Sequence, residues 1–279
     1  MAWHPHPDVW LVMIGIYAGY LWILKRVGPH HISPGDQPAS RSQVAAFTLG
    51  VLSMWLVADW PIHELAEKYL FSVHMVQHMV FSLVSAPLLL LGTPGWLARV
   101  ILSPKFLLAL MRVLTRPVVA ILLFNGYLVF SHWPSFVNLV TSNELAHFLA
   151  HVALVAVSLV MWWPVLSPIA EVPRLSHPGQ MLYLFLQTIV PTVPASFLTF
   201  ARVPLYEAYA SAPRIFRISA VTDQMTAGLI MKLGGGFLLW GVIAILFFRW
   251  SSRETSGTPD TVDWQDIEIR LNRAEEAKA

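Results

Sequence analysis

Cysteine is absent from the 279 residues, which excludes disulfides, thiolate metal sites and thiol redox chemistry. Any soft-metal site must therefore be built from histidine and methionine. Charge is scarce too: 12% of residues are Asp, Glu, Lys or Arg against 56% hydrophobic, and mean hydropathy is +0.59. A soluble domain cannot cover its surface from that composition, so the chain reads as a polytopic membrane protein. The net charge of +2 and pI near 9.0 imply no nucleic-acid partner. The basic residues are scattered in loops between apolar runs, where they set topology. The start, Met1 to Asp8, also lacks the basic segment and small-residue cleavage site of a secretory signal, so the first apolar run is expected to be retained.

What is present is a series of apolar runs. They predict an all-α bundle of seven transmembrane helices over residues 1–250, with spans near 9–24, 43–60, 69–92, 117–132, 144–163, 180–200 and 220–249. Residues 96–114 read as an amphipathic helix lying along the interface. Pro191 and Pro194 predict a kink or break in the sixth span. The polar tail, 251–279, is expected to carry a short amphipathic helix near 264–271. With the N-terminus outside, ten Lys and Arg fall in inner segments and only Lys68, Arg202, Arg214 and Arg217 in outer ones. The positive-inside rule then puts the N-terminus outside and the C-terminus in the cytoplasm.

That orientation makes the histidines informative. Eight of eleven fall on the outer side or in the outer halves of spans. His74 and His78, in the third span, are four residues apart and so about 40° apart on a helix, with Met75 and Met79 flanking them. His147 and His151 repeat the spacing in the fifth span, and both pairs lie about 5 and 10 Å below their helix starts. If the two spans are neighbours, four imidazoles can enclose one or two ions. Imidazole inside a membrane span is costly without a partner, and satisfied core histidines are the plain alternative to a metal or cofactor site. In the seventh span Asp223, Gln224 and Met231 share an arc of about 100°. Asp223 reads either as a helix cap or as a site residue, and Met231 as packing or as a ligand. His63 reads as a solvated loop residue and His132 as an interfacial one.

Imidazole combined with thioether suits copper better than iron, for which carboxylates are too few. The His-Glu-x-x-His zinc pattern is absent, since His63-Glu64 has no second histidine four residues on. One histidine from each pair would also suffice for a single haem.

The run His74-Met75-x-Gln77-His78-Met79, with Ala86-Pro87-Leu88 and Gly92-Thr93-Pro94 after it, resembles the CtaG family of multi-span cytochrome c oxidase assembly factors. Also similar are Asn143-x-x-x-His147, Trp162-Trp163-Pro164, Pro204-Leu205-Tyr206-x-x-Tyr209 and Asp223-Gln224-x-x-Ala227-Gly228-x-x-Met231. The resemblance runs from about residue 43 to 249. It implies a seven-span, multi-pass protein of the cell inner (plasma) membrane that supports maturation of a haem-copper oxidase by handling copper. The partners implied are oxidase subunits or other oxidase assembly proteins. Carried over residue by residue, it implies a metal role for His74, His78, His147, His151, Asp223 and Met231. Lys232 departs from the pattern, since an aromatic follows the Met in the family. Three classes stay open: a copper-binding assembly factor without turnover, a membrane metalloenzyme or haem protein using the same histidines, and a copper transporter. The transporter is the weakest, because the inner half of the bundle offers almost no ligands.

Overall fold

Helix boundaries fall where the sequence supplies caps and prolines. The computed structural model describes residues 5–255, and the helix expected near 264–271 lies outside them. Helix α1 (Pro7–Arg26) starts on a proline. Helix α2 (Arg41–Ala58) starts behind a capping box, in which Ser40 Oγ accepts from the Gln43 amide and Gln43 Oε1 accepts from the Ser40 amide. The short α3 (Ile62–Lys68) leads into α4 (Phe71–Leu91), which is followed by α5 (Gly95–Ile101), α6 (Lys105–Leu114) and α7 (Pro117–Ser131). Then come α8 (Pro134–Ser142), α9 (Glu144–Leu166, capped by Asn143), α10 (His177–Gln187), α11 (Thr192–Phe200), α12 (Glu207–Ser211) and α13 (Ala220–Thr255). No strand occurs among the described residues.

Among the described residues six segments are long and apolar enough to cross a membrane: α1, α2, α4, α9, the α10–α11 pair and α13. The fourth of the seven expected spans, α7, has 15 residues and reaches about 22 Å, short of a hydrocarbon core of about 30 Å. It qualifies only together with α6, to which it is bent by 80°. The bend follows from Pro117, whose ring disfavours helical backbone at Arg116. The interfacial helix expected over 96–114 is two helices, α5 and α6, parted before Pro104; α5 buries Leu97 and Ala98, whereas α6 buries none of its residues. The bundle's sides carry bare Leu11, Trp22, Leu52, Leu122, Phe237 and Phe248, a surface that suits lipid rather than water. The break expected in the sixth span is there: α10 ends at Gln187 and α11 restarts at Thr192, behind Pro191.

Helix α4 is the hub. It packs against α2, α3, α9 and α13, and half of its most apolar stretch is buried. Two features in its neighbourhood have no sequence signature. Both α4 and α13 contain a wide π turn, at 80–85 and 230–234, directly after Met79 and around Met231. Such turns disturb the backbone ladder and concentrate at functional sites. The Trp162 indole N–H, from α9, donates to the Ser82 carbonyl within the first of them at 2.9 Å. Close approach also needs glycine at Gly228. A Cβ there would meet Thr199 Oγ1 at 2.5 Å and the Ala195 carbonyl at 2.7 Å, so α13 lies against α11.

The up-and-down course gives the bundle two unlike ends. One gathers 59–70, 132–143 and 201–219 and carries most of the histidines; the other gathers 27–40, 92–116 and 167–176, where Arg99 Nε meets Glu171 Oε1 at 2.7 Å. At the histidine end Asp59 ties α1 to α2 by accepting from the indoles of Trp10 (2.7 Å) and Trp55 (3.1 Å) and from the Trp60 amide (2.8 Å). Burial would push its carboxyl up, but those donors outweigh it and hold the carboxyl below the usual range.

Candidate metal centre

The i, i+4 spacing places His74 and His78 on the face of α4 that meets α9, and His147 and His151 on the facing side of α9. The two spans are neighbours, and the pairs match in depth. Ring centroids are 4.2 Å apart within the first pair and 4.3 Å within the second. Across the helices they are 6.0 Å for His74–His147, 5.2 Å for His78–His151 and 6.2 Å for His74–His151. The four rings share one cavity of about 20 Å³, whose lining includes His132 and Tyr127 and is otherwise largely apolar. That is room for about one water or one small ion.

The hydrogen-bond partners fix which nitrogens carry lone pairs. His147 Nδ1–H donates to Glu67 Oε1 at 2.7 Å, which leaves Nε2 unprotonated in the neutral ring. That Nε2 lies 3.2 Å from His151 Nε2, so His151 supplies the proton between them. His132 Nδ1–H donates to the Leu128 carbonyl at 2.7 Å, leaving its Nε2 as the acceptor. His74 Nδ1 is buried with no hydrogen-bond partner. A buried imidazole nitrogen without a partner costs about 1–3 kcal/mol.

The methionines occupy a different space. Met75, Met79 and Met231 line an adjoining cavity of about 70 Å³, which shares His78, Ser131 and His132 with the imidazole cavity. The six candidate His and Met residues of α4 and α9, together with Met231, thus divide into an imidazole chamber and a thioether chamber, with His78 lining both. Lys232 lines the thioether chamber and not the imidazole chamber.

Asp223 joins neither. Its side chain is 1% exposed, with Oδ2 accepting from the Phe71 amide at 2.7 Å and Oδ1 from the Ser72 amide at 3.1 Å. Both amides belong to the first turn of α4, whose own N-cap residue, Leu70, has no capping side chain. Asp223 therefore caps a helix other than its own, where a carboxylate also favours the positive end of the peptide dipoles. Neighbouring Gln224 holds the 201–219 connection by accepting from the Leu205 amide at 2.7 Å.

Three groups that the spacing of the sequence did not bring forward complete the arrangement. Glu67, on α3, touches His147 Nδ1 and lies 3.3 Å from His63 Nε2. His63 is not a solvated loop residue: its side chain is 15% exposed, and its Nδ1 accepts from Gln77 Nε2 at 3.2 Å while the same amide serves the Val57 carbonyl at 2.8 Å. His132 is not merely interfacial, since it lines both chambers, and Tyr206 O–H clamps its carbonyl at 2.9 Å. Burial lowers the His63 pKa even though Glu67 opposes the shift. Burial likewise acts to raise Glu67, but the His147 N–H and the nearby imidazoles outweigh it and keep that carboxyl below its ordinary range. The His63-x-x-x-Glu67 spacing, again i, i+4, was the signal available for this pair.

A family model described as cytochrome c oxidase caa3 assembly factor matches residues 18–253. No curated protein and no solved structure matches the chain.

Proposed function

The chain belongs to the cytochrome c oxidase caa3 assembly factor family, and on that premise we propose that its contribution to assembly is to hold copper in the imidazole chamber. The protein would bind the ion and pass it to an oxidase subunit, with no turnover of its own. The observation that carries the reading is the set of four imidazoles around a one-ion space with His74 Nδ1 left without a partner. Two nitrogens bound to one ion at about 2.0 Å with a tetrahedral angle lie about 3.3 Å apart, and His147 Nε2 and His151 Nε2 are 3.2 Å apart. An ion that displaces the proton shared by those two nitrogens therefore needs little rearrangement. Glu67 supports the same set from behind, since a carboxylate on the far nitrogen of a ligating histidine fixes its tautomer and orientation.

The donor chemistry favours copper over harder ions, because the imidazole chamber borders, at His78, a cavity lined by three thioethers. The neighbouring sulfurs would supply a softer environment for the reduced ion. Asp223 acts in this reading as a positioning residue for α4. The chambers, about 20 and 70 Å³, suit an ion rather than a haem, since sites for organic cofactors run to about 300 Å³ or more. The Lys/Arg-rich end would face the cytoplasm, which puts the histidine end on the outer side of the inner membrane.

The test is a deletion strain. Oxidase polypeptides and haem should still be made, while active, copper-loaded oxidase is lacking. Excess copper should restore part of the activity, because an unassisted client site fills as free metal approaches its dissociation constant. His147→Ala with His151→Ala should reproduce the deletion. Normal oxidase in the deletion strain would end the assembly role for this chain.

A further inference from the structure

We propose that His63, Glu67 and His147 form a second cation site, distinct from the imidazole chamber and placed at its mouth, which takes a borderline divalent ion of the copper(II) or zinc(II) class. One ligand atom from each of the three lies within 4.8 Å of the other two, which is close enough for a single ion to gather them with small side-chain movements. The three come from two elements that the fold has already fixed. His63 and Glu67 are successive-turn neighbours on α3, outside the spans, and His147 projects from the first turn of α9. Two imidazoles and one carboxylate are a donor set that proteins use for dications and that leaves a fourth position open. A further ring stands at that side. His6, just before α1, packs edge-on against His63 with centroids 5.1 Å apart, and its buried Nε2 has no hydrogen-bond partner. Gln77 Nε2 donates to His63 Nδ1 from below, which points His63 Nε2 at Glu67; for Nε2 to take an ion its proton moves to Nδ1, and the Gln77 amide reorients to offer its unpartnered Oε1 there.

The donor type separates this site from the chamber beneath it. Its carboxylate favours a doubly charged ion, whereas the chamber offers neutral imidazoles and, beyond His78, sulfur. His147 belongs to both sites through opposite nitrogens, with Nδ1 toward Glu67 and Nε2 toward His151. A neutral imidazole has one lone pair to give at a time. Filling the outer site with His147 Nδ1 puts the ring proton on Nε2, and moving the ion inward returns it to Nδ1, where Glu67 accepts it. The outer site is thus a loading position from which an ion passes to the chamber by one tautomer change of His147. That loading role, though not the site itself, rests on the copper reading of the chamber.

The experiment compares detergent-purified, chelator-stripped proteins equilibrated with copper(II) and, separately, zinc(II), then desalted and counted by mass spectrometry, with affinities from competition against a chromophoric chelator. Wild type should bind one ion tightly and a second at least tenfold more weakly, because the two sites compete for His147. The variant His74→Ala with His78→Ala and His151→Ala should keep one divalent ion per chain. Adding His63→Ala and Glu67→Gln to it should abolish that ion. A folded inner-site variant that binds nothing would overturn the outer site. Should that variant not fold by thermal melting and gel filtration, His63→Ala with Glu67→Gln decides alone: it should lose the weak equivalent, and an unchanged two-step isotherm would overturn the proposal. An inner-site variant indistinguishable from wild type would instead remove the copper reading of the chamber and leave the outer site standing.

Discussion

Replacing Asp223 separates two roles that a carboxylate beside a metal chamber can have. In the structure its two oxygens are spent on the Phe71 and Ser72 amides at 2.7 and 3.1 Å, and the side chain is 1% exposed. Asp223→Ala leaves the buried Phe71 amide and the half-buried Ser72 amide without acceptors; the first costs about 1–3 kcal/mol and the second less, so the expected loss is about 2–4 kcal/mol. Asp223→Asn keeps the shape and one acceptor oxygen, turns an NH₂ toward the other amide, and gives up the interaction of a charge with the helix start; about 1–3 kcal/mol is expected. Thermal melts of the detergent-solubilised protein should therefore rank wild type above Asn and Asn above Ala. Metal analysis of the Asn variant should give close to the wild-type copper content, because no ligand has been removed. An Asn variant that melts like wild type but comes out stripped of copper would refute the cap and make Asp223 a ligand.

Two further outcomes follow from the packing and the charge distribution. Gly228→Ala drives a methyl against Thr199 Oγ1 and the Ala195 carbonyl, and overpacking of this kind should cost about 1–3 kcal/mol in the same melts, whereas Gly236→Ala, with nothing within 4 Å, should change little. Reporter tags at the C-terminus and within 28–41 should read as cytoplasmic and tags near Glu64 and within 134–143 as external; a C-terminus reporting outside would overturn the orientation.

The sequence made the helices and the two histidine pairs legible for a local reason: both depend on spacings within one element. The period of α4 alone puts His74 over His78, and the matched depth of His147 and His151 follows from counting residues from a helix start. What escaped depends on partners far away along the chain. Asp223 lies 152 residues from the Phe71 amide it caps, so nothing near it announces the role, and an acid beside a Met on one helix face reads just as well as a ligand. Glu67 and His63 sit in a connection that looks solvated until α9 brings His147 against it from 80 positions on. The division of His and Met on α4 follows the 100° step from His74 to Met75 and from His78 to Met79, but which chamber each side faces depends on where α9 and α13 pack, and Met231 lies within a π turn that sequence does not mark. The short α7 is a matter of length, since its apolar run continues into α6 but Pro117 forces the chain to turn.

The central claim is that the four imidazoles hold copper, and the most direct measurement is the metal content of the protein purified in detergent, as wild type and as His74→Ala with His78→Ala. Copper in preference to zinc is expected at the chamber in wild type, and the double variant should lose the tightly held ion and keep at most the weaker outer equivalent, since two of the chamber's four imidazoles, including the one with the unpartnered Nδ1, are gone. Unchanged copper in the double variant, or a haem Soret band in the wild type, would contradict it.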